Sequence, residues 1–354
     1  MNIYLLNIAI IIISYLFWTQ LYREERGKKI FCVQVTIQWI LISGLRSMQV
    51  GADTDRYRIM FENTLNMKWS EIEVAILQVF RGNNLYKDPG YYLVMKVFQI
   101  FSKNYNLYLT VVAAIFMIPF GMWVYKKSED VLMSYIIFSC LFYSFFAITG
   151  TRQTIVTGII VFIGTELLHK KKYWAFYLIL LLLYPIHKSV IAFGIYPILY
   201  RRNISKMNLA IWTIAIGMAW IFRGRLMTIT STVMGYDQYD QLIEGAGAST
   251  FTLLFMIVLI FGAAANNIVV EQYPDSIEAY NAMFIAAILL PMVSINQSAM
   301  RGVQYFSIYL VIFIPLIVTS IKVEQRKIAN IIGICLLILL LIHNNPQYTF
   351  FWQL

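Results

Sequence analysis

The sequence predicts an all-α, polytopic membrane protein with about twelve transmembrane or re-entrant helices, and three observations carry that reading. Apolar residues fill 60% of the 354 positions and charged residues only 13%, about half the roughly 25% charged found in a soluble domain. The apolar runs repeatedly reach the roughly 17 to 25 residues that a crossing helix needs, and they are continuous where a membrane β-barrel would alternate. The basic residues behind the formal charge of +10 fall between these runs, so they read as topology signals and not as a nucleic-acid surface. With no repeat, low-complexity tract or soluble insert, residues 1–354 are expected to form a single integral membrane domain.

Ile3 to Trp18 forms the first span. It has no basic residue ahead of it and no small-residue cleavage site behind it, so it is not read as a removable signal. The following YREERGKKI carries Arg23, Arg26, Lys28 and Lys29 and belongs in the cytoplasm by the positive-inside rule. Ile30 to Leu45 then runs outward and delivers Arg46 to Tyr57, RSMQVGADTDRY, to the outer face. Residues 46–105 are expected to be an extracytoplasmic loop, in which six basic and six acidic residues up to Asp88 cancel. Within it, PGYYLVMKVFQIFS at 89–102 is too short to cross comfortably and opens with proline at a first helical position, so it reads as a re-entrant or interfacial helix. The next span, Leu107 to Tyr125, must then run inward, and it ends at Lys126 and Lys127.

Val131 to Ile148 returns outward to TGTRQ, and Ile155 to Leu168 goes back to Lys170, Lys171 and Lys172. The apolar stretch from there to Arg201, Arg202 and Lys206 is interrupted at Pro185, His187 and Lys188. This places His187 at the outer side or in a cavity open to it, because broken helices at membrane depth line sites. Asn208 to Phe222 leads into a second extracytoplasmic loop at 223–249, rich in glycine and mixed polar residues. Phe251 to Val270 comes in, Ala279 to Ile295 goes out to NQSAMR, and Val303 to Ser320 returns to Lys322, Arg326 and Lys327. Ile328 to Ile342 then leaves the C-terminal residues outside. This scheme makes EQYPDSIE, 271–278, cytoplasmic although it has no lysine or arginine. Cys32, Cys140 and Cys335 each lie inside an apolar run, without the spacing of a metal site or a disulfide frame.

Asp53, Asp55, Arg152, His187, Lys188 and Arg301 all fall at the exterior leaflet in this scheme, and a charge in hydrocarbon costs several kcal/mol, about 2.5 to 3.5 on insertion scales. Arginines gathered there suit clustered phosphate charge, because guanidinium donors match phosphate oxygens in pairs. A lipid-linked pyrophosphate fits that description, and the same cations would stabilise it as a leaving group. No glycine-rich phosphate loop or dinucleotide fingerprint is present. His187, beside a helix break, suits a general base for a sugar hydroxyl. Asp53 and Asp55 could instead act as the base, bind sugar hydroxyls or hold Arg46 and Arg56. No cofactor is expected; a divalent metal at the D-T-D spacing is a further option.

Arg46 followed by GADTDRY at 51–57, DPGYYL at 88–93, TRQ at 151–153, HKS at 187–189 and MRGVQYF at 300–306 together resemble the EpsG-like family of Wzy-type exopolysaccharide and capsule repeat-unit polymerases. The pieces run in the family's order over most of the chain; Asp88 departs from it, standing where glutamate is expected. The resemblance implies a GT-C-like glycosyltransferase architecture and a multi-pass enzyme of the bacterial cytoplasmic membrane with its active site facing outside. Such an enzyme joins undecaprenyl-pyrophosphate-linked oligosaccharide repeat units among membrane lipids, with a flippase and a chain-length regulator as candidate partners. On this reading Arg46, Arg152, Arg301 and Lys188 bind pyrophosphate, and His187 is the leading base. Asp53 and Asp55 orient the acceptor or replace His187, while Arg56, Tyr57, Gln153, Ser189, Gln304 and Tyr305 contact substrate. Two alternatives differ in class. A flippase of lipid-linked oligosaccharide should carry polar groups through both leaflets, and a membrane acyltransferase should carry an inner-face cluster for its acyl donor.

Overall fold

The structure, a computed structural model, describes residues 2–22, 24–82, 86–234 and 249–353. Among the described residues it is all-α, with one isolated β-bridge between Arg46 and Phe350. Six helical stretches among the described residues are long and apolar enough to cross a membrane, or eight if two bent pairs each count as one span. The expected count of about twelve takes in re-entrant and shorter helices, and several of these fall outside the six to eight for local reasons. Helix α2 (Glu24–Gly44) begins in the charged EERGKK, and α7 (Val131–Ile137) gives way to π-helical turns at Phe138–Phe142 and Ser144–Ile148. Tyr173–Leu183 and Lys188–Leu199 are short apolar helices parted around Pro185, where the missing N–H and the ring end helical bonding.

The described residues fall into two compact units, one comprising Met1–Lys188 with Lys327–Leu354 and the other Ser189–Arg326. In the first, α1 (Ile3–Leu21), α2 and α6 (Tyr105–Lys127) pack around a buried aromatic core. Phe116 stacks on Phe146 at 4.8 Å, and Phe120 lies against Phe138 at 4.7 Å, contacts worth about 0.5–1.5 kcal/mol each beyond area burial. Lipid is as apolar as these side chains, so close packing and polar contacts hold the helices together. Here Trp39 Nε1 donates to Ser139 Oγ (3.2 Å), and the Tyr135 hydroxyl donates to the Cys32 carbonyl (3.2 Å).

Polar contacts also sort the two ends of this unit. At one end the Tyr125 hydroxyl meets Glu25 (3.2 Å), Lys126 pairs with Glu166 (2.9 Å), and Lys127 lies 2.8 Å from His169. The lysine-rich connections therefore gather. At the other end Asn106 donates to the carbonyls of Gly44 and Arg46 (3.0 Å each), and the Tyr105 hydroxyl donates to the Thr54 carbonyl (3.0 Å). The C-terminal residues close over the same place: Ser47 N–H donates to the Thr349 carbonyl and Phe351 N–H to that of Leu45, both at 2.9 Å.

Three short helices occupy the expected 46–105 loop: α3 (Thr54–Thr64), α4 (Trp69–Phe80) and α5 (Pro89–Gln99). The 11 residues of α5 reach only about 16 Å at roughly 1.5 Å each, too short for a crossing. Buried Tyr91 and Met95 line its inner face, and exposed Leu93 and Val97 its outer one.

After the short α8 (Thr151–Thr157), α9 (Thr165–His169), α10 (Tyr173–Leu183) and α11 (Tyr196–Leu199), the second unit contains α12 (Lys206–Ile221) and α13 (Arg223–Met234), bent at 83° to one another. The loop expected at 223–249 thus starts as helix, and its residues 235–248 lie outside the described ones. Next come α14 (Ser249–Gln272), α15 (Ile277–Val293), α16 (Met300–Ser307) and α17 (Leu310–Ser320), and α18 (Val323–Asn344) returns to the first unit. Arg201 pairs with Asp275 (3.1 Å) and Glu278 (3.4 Å), and the Tyr200 hydroxyl donates to Glu278 Oε1 (2.8 Å). The lysine-free EQYPDSIE connection is therefore held beside the basic YRRN turn, which supplies the positive charge it lacks.

Candidate active site

In the first unit one carboxylate joins three distant segments. Asp88 precedes α5 with left-handed backbone (φ 55°, ψ 59°) and is fully buried. Its Oδ2 accepts from Arg152 Nη1 at 2.7 Å and lies 3.2 Å from His187 Nδ1, while Oδ1 accepts from the Lys188 N–H at 3.4 Å. Asp and Asn tolerate that backbone better than most side chains, which gives a local reason for aspartate at this position.

Each segment is shaped to reach this point. Pro89 starts α5 with a preset φ and no N–H to satisfy. Gly90 N–H donates to the Pro185 carbonyl at 2.9 Å, and a Cβ there would sit 2.8 Å from Ile186 N and Pro185 C. Only glycine lets the two turns touch. Gly150, at φ 49°, ends the π-helical stretch and starts α8, which presents Arg152. The Arg152 guanidinium lies 5.3 Å from the Tyr57 ring and 6.0 Å from Tyr91, and its Nε donates to the Tyr57 hydroxyl (3.2 Å). Tyr91 in turn meets Thr151 at 2.9 Å.

The electrostatics follow from this geometry. Burial acts to raise the Asp88 carboxyl, but the hydrogen bond and charge of His187, the Arg152 charge and the Lys188 N–H together hold it below its ordinary value. It is therefore a carboxylate at neutral pH. With Nδ1 protonated toward Asp88, the imidazole is held in one orientation, the arrangement by which a carboxylate prepares a histidine for proton transfer.

The structure thus brings together Arg152, His187, Lys188 and Tyr57 from the expected set. It adds Asp88, Tyr91 and Thr151, which the sequence reading left without a role, although DPGYYL was among its motifs. Arg46 is buried, but its guanidinium is bonded to Ser43, to Thr54 Oγ1 (3.5 Å) and to the Ala147 carbonyl (3.4 Å). Asp53 caps α3 in position without a side-chain capping bond and is half-buried, while Asp55 and Arg56 are exposed. Gln153 is buried on α8. Among the described residues no three His, Cys, Asp or Glu side chains gather as metal ligands do.

The remaining candidates belong to the second unit. Ser189 and Tyr305 share a buried hydrogen bond (2.9 Å), and Gln304 is buried with neither amide atom hydrogen bonded among the described residues. Arg301 lines a cavity of about 340 Å³ within that unit.

No curated protein and no solved structure matches the chain. A sequence profile of the EpsG family does, over residues 28–350, and it takes in every segment that builds the Asp88 cluster. The chain is therefore a multi-pass membrane protein of polysaccharide biosynthesis, and it belongs to the EpsG family.

Proposed function

We propose that this protein is a glycosyltransferase that polymerises undecaprenyl-pyrophosphate-linked oligosaccharide repeat units at the outer face of the bacterial cytoplasmic membrane. Membership of the EpsG family supports a Wzy-like polymerase in exopolysaccharide synthesis. The observation that carries the chemistry is Asp88, one buried carboxylate oxygen shared between Arg152 and His187. In the proposed step, a sugar hydroxyl of one lipid-linked unit attacks the anomeric carbon of the growing chain. The C–O bond to pyrophosphate breaks, and the leaving group takes the electron pair. His187 takes the hydroxyl proton, a role that lowers such barriers by about 10²- to 10⁴-fold. Asp88 orients the ring, and Arg152 and Lys188 meet the charge growing on the pyrophosphate.

Arg301 is assigned to a pyrophosphate from the second unit. The committed guanidinium of Arg46 supports a different part from the one first expected, that of fixing the α2–α3 junction. Tyr57, Gln153, Ser189, Gln304 and Tyr305 remain candidates for substrate contact, with the exposed Arg56, Asp53 and Asp55 at the acceptor sugar. Placement outside is part of the proposal, and the polar contacts support it: the lysine-rich end of the first unit is the end away from the Asp88 cluster, and lysine-rich connections favour the cytoplasm.

Reconstitution with synthetic lipid-linked repeat units tests the reading. A ladder of lengthened glycan with release of lipid pyrophosphate is the expected result. Movement of labelled lipid between leaflets without lengthening would make the protein a flippase and overturn the enzyme assignment.

A further inference from the structure

Arg152 is held more closely than an ion pair alone would hold it. Its Nη1 is taken by Asp88 (2.7 Å) and its Nε by the Tyr57 hydroxyl (3.2 Å), while Nη2 has no hydrogen-bond partner among the described residues. The side chain keeps 11% of its surface exposed, so the fork is closed on two sides and open on the third. The Tyr57 and Tyr91 rings wall it, 5.3 and 6.0 Å from the guanidinium and 5.5 Å from each other in an edge-on pair. Both tyrosines belong to a buried cluster with Phe61, Met95 and Tyr108, which keeps either wall from swinging away. The Tyr91 hydroxyl also meets Thr151 Oγ1 at 2.9 Å. This contact fixes the first turn of α8, and with it the backbone from which Arg152 extends.

We infer that Tyr57 and Tyr91 are positioning residues for Arg152, Tyr57 through the side chain and Tyr91 through Thr151 and the backbone of α8, and that together they turn Nη2 toward the leaving group. A guanidinium held at one atom can pivot about that bond. A second bond, from Nε, removes the pivot. Donors fixed in advance stabilise growing charge because they need not reorganise as the reaction proceeds, and a misplacement of about 1 Å can cost about 100-fold in rate. The inference rests on the polymerase reading for the identity of the leaving group, and on the geometry alone for the lock on the guanidinium.

Two readouts test it. In reconstituted glycan lengthening, Tyr57→Phe removes one hydroxyl and keeps the ring; kcat should fall about 10- to 100-fold with KM within about 3-fold, the pattern of an interaction that counts in the transition state. Thr151→Val should act in the same direction by way of the backbone, and Thr151→Ser, which keeps the hydroxyl, should recover most of that loss. Thr151→Val carries the test should Tyr57→Phe fail to fold. The second readout is the nuclear magnetic resonance of the Arg152 Nε–H in full-length protein with isotopically labelled arginine, in detergent, assigned by its loss in Arg152→Lys. It should exchange with solvent at least about 10-fold faster in Tyr57→Phe than in the parent, as loss of a hydrogen bond to a charged group requires.

Parent kcat in both Tyr57→Phe and Thr151→Val would overturn the inference, even with a lowered melting temperature, because that is the mark of a merely structural role. A raised KM at unchanged kcat would do so as well, making Tyr57 a substrate contact. So would an Nε–H that exchanges equally fast with and without the Tyr57 hydroxyl. The result is separable from the polymerase test. A parent that lengthens no glycan removes the polymerase reading and leaves the exchange rate to decide the lock, whereas lengthening that the variants match removes this inference alone.

Discussion

Replacing Asp88 with asparagine is the sharpest perturbation available, because it changes charge while keeping size. The Arg152 and Asp88 side chains are 11% and 0% exposed and 2.7 Å apart. The variant leaves the Arg152 guanidinium with no carboxylate in a mostly buried setting, and breaking a buried pair in this way costs about 3–5 kcal/mol. At about 2–4 °C per kcal/mol for a unit of this size, Asp88→Asn should melt about 6–20 °C below the parent. Thermal unfolding in detergent by intrinsic tryptophan fluorescence reads this directly. Arg152→Gln should lose a similar amount, because it leaves the opposite charge buried. The double variant carries neither charge and should recover about 0.5–3 kcal/mol relative to the summed losses. A melting temperature within about 2 °C of the parent for Asp88→Asn, or losses that simply add, would refute the claim that this pair holds the three segments together.

Three further outcomes follow from the same geometry. Because the Asp88 carboxyl is held below its ordinary value of 3.8, the ionised form stabilises the fold above that value, and the contribution is lost as pH falls through the folded value. Acidification from pH 7 to 3 should therefore lower the parent's melting temperature more than that of Asp88→Asn, and equal losses would count against it. Gly90→Ala puts a Cβ against the Pro185–Ile186 backbone at 2.8 Å; a loss of about 1–3 kcal/mol is expected, with polymer formation falling alongside, and a stable, active variant would contradict the close approach. His187→Gln should express and melt close to the parent yet lengthen glycan at least about 100-fold more slowly. Undiminished rate there would move the proton acceptor to Asp53 or Asp55.

Sequence alone settled what is local or cumulative. Continuous apolar runs named an all-α membrane protein, and basic clusters named the connections that the structure gathers at one end of the first unit. A proline and a histidine within an apolar stretch marked the break that carries His187. Tertiary structure decided which charges meet. Asp88 is 64 residues from Arg152 and 99 from His187, and no periodicity or spacing reports a contact that exists only once helices pack. Arg46 and Arg152 looked alike as arginines at span ends. Packing gave one to backbone carbonyls and the other to a buried carboxylate, because a guanidinium removed from water must take whichever acceptors the surrounding helices supply.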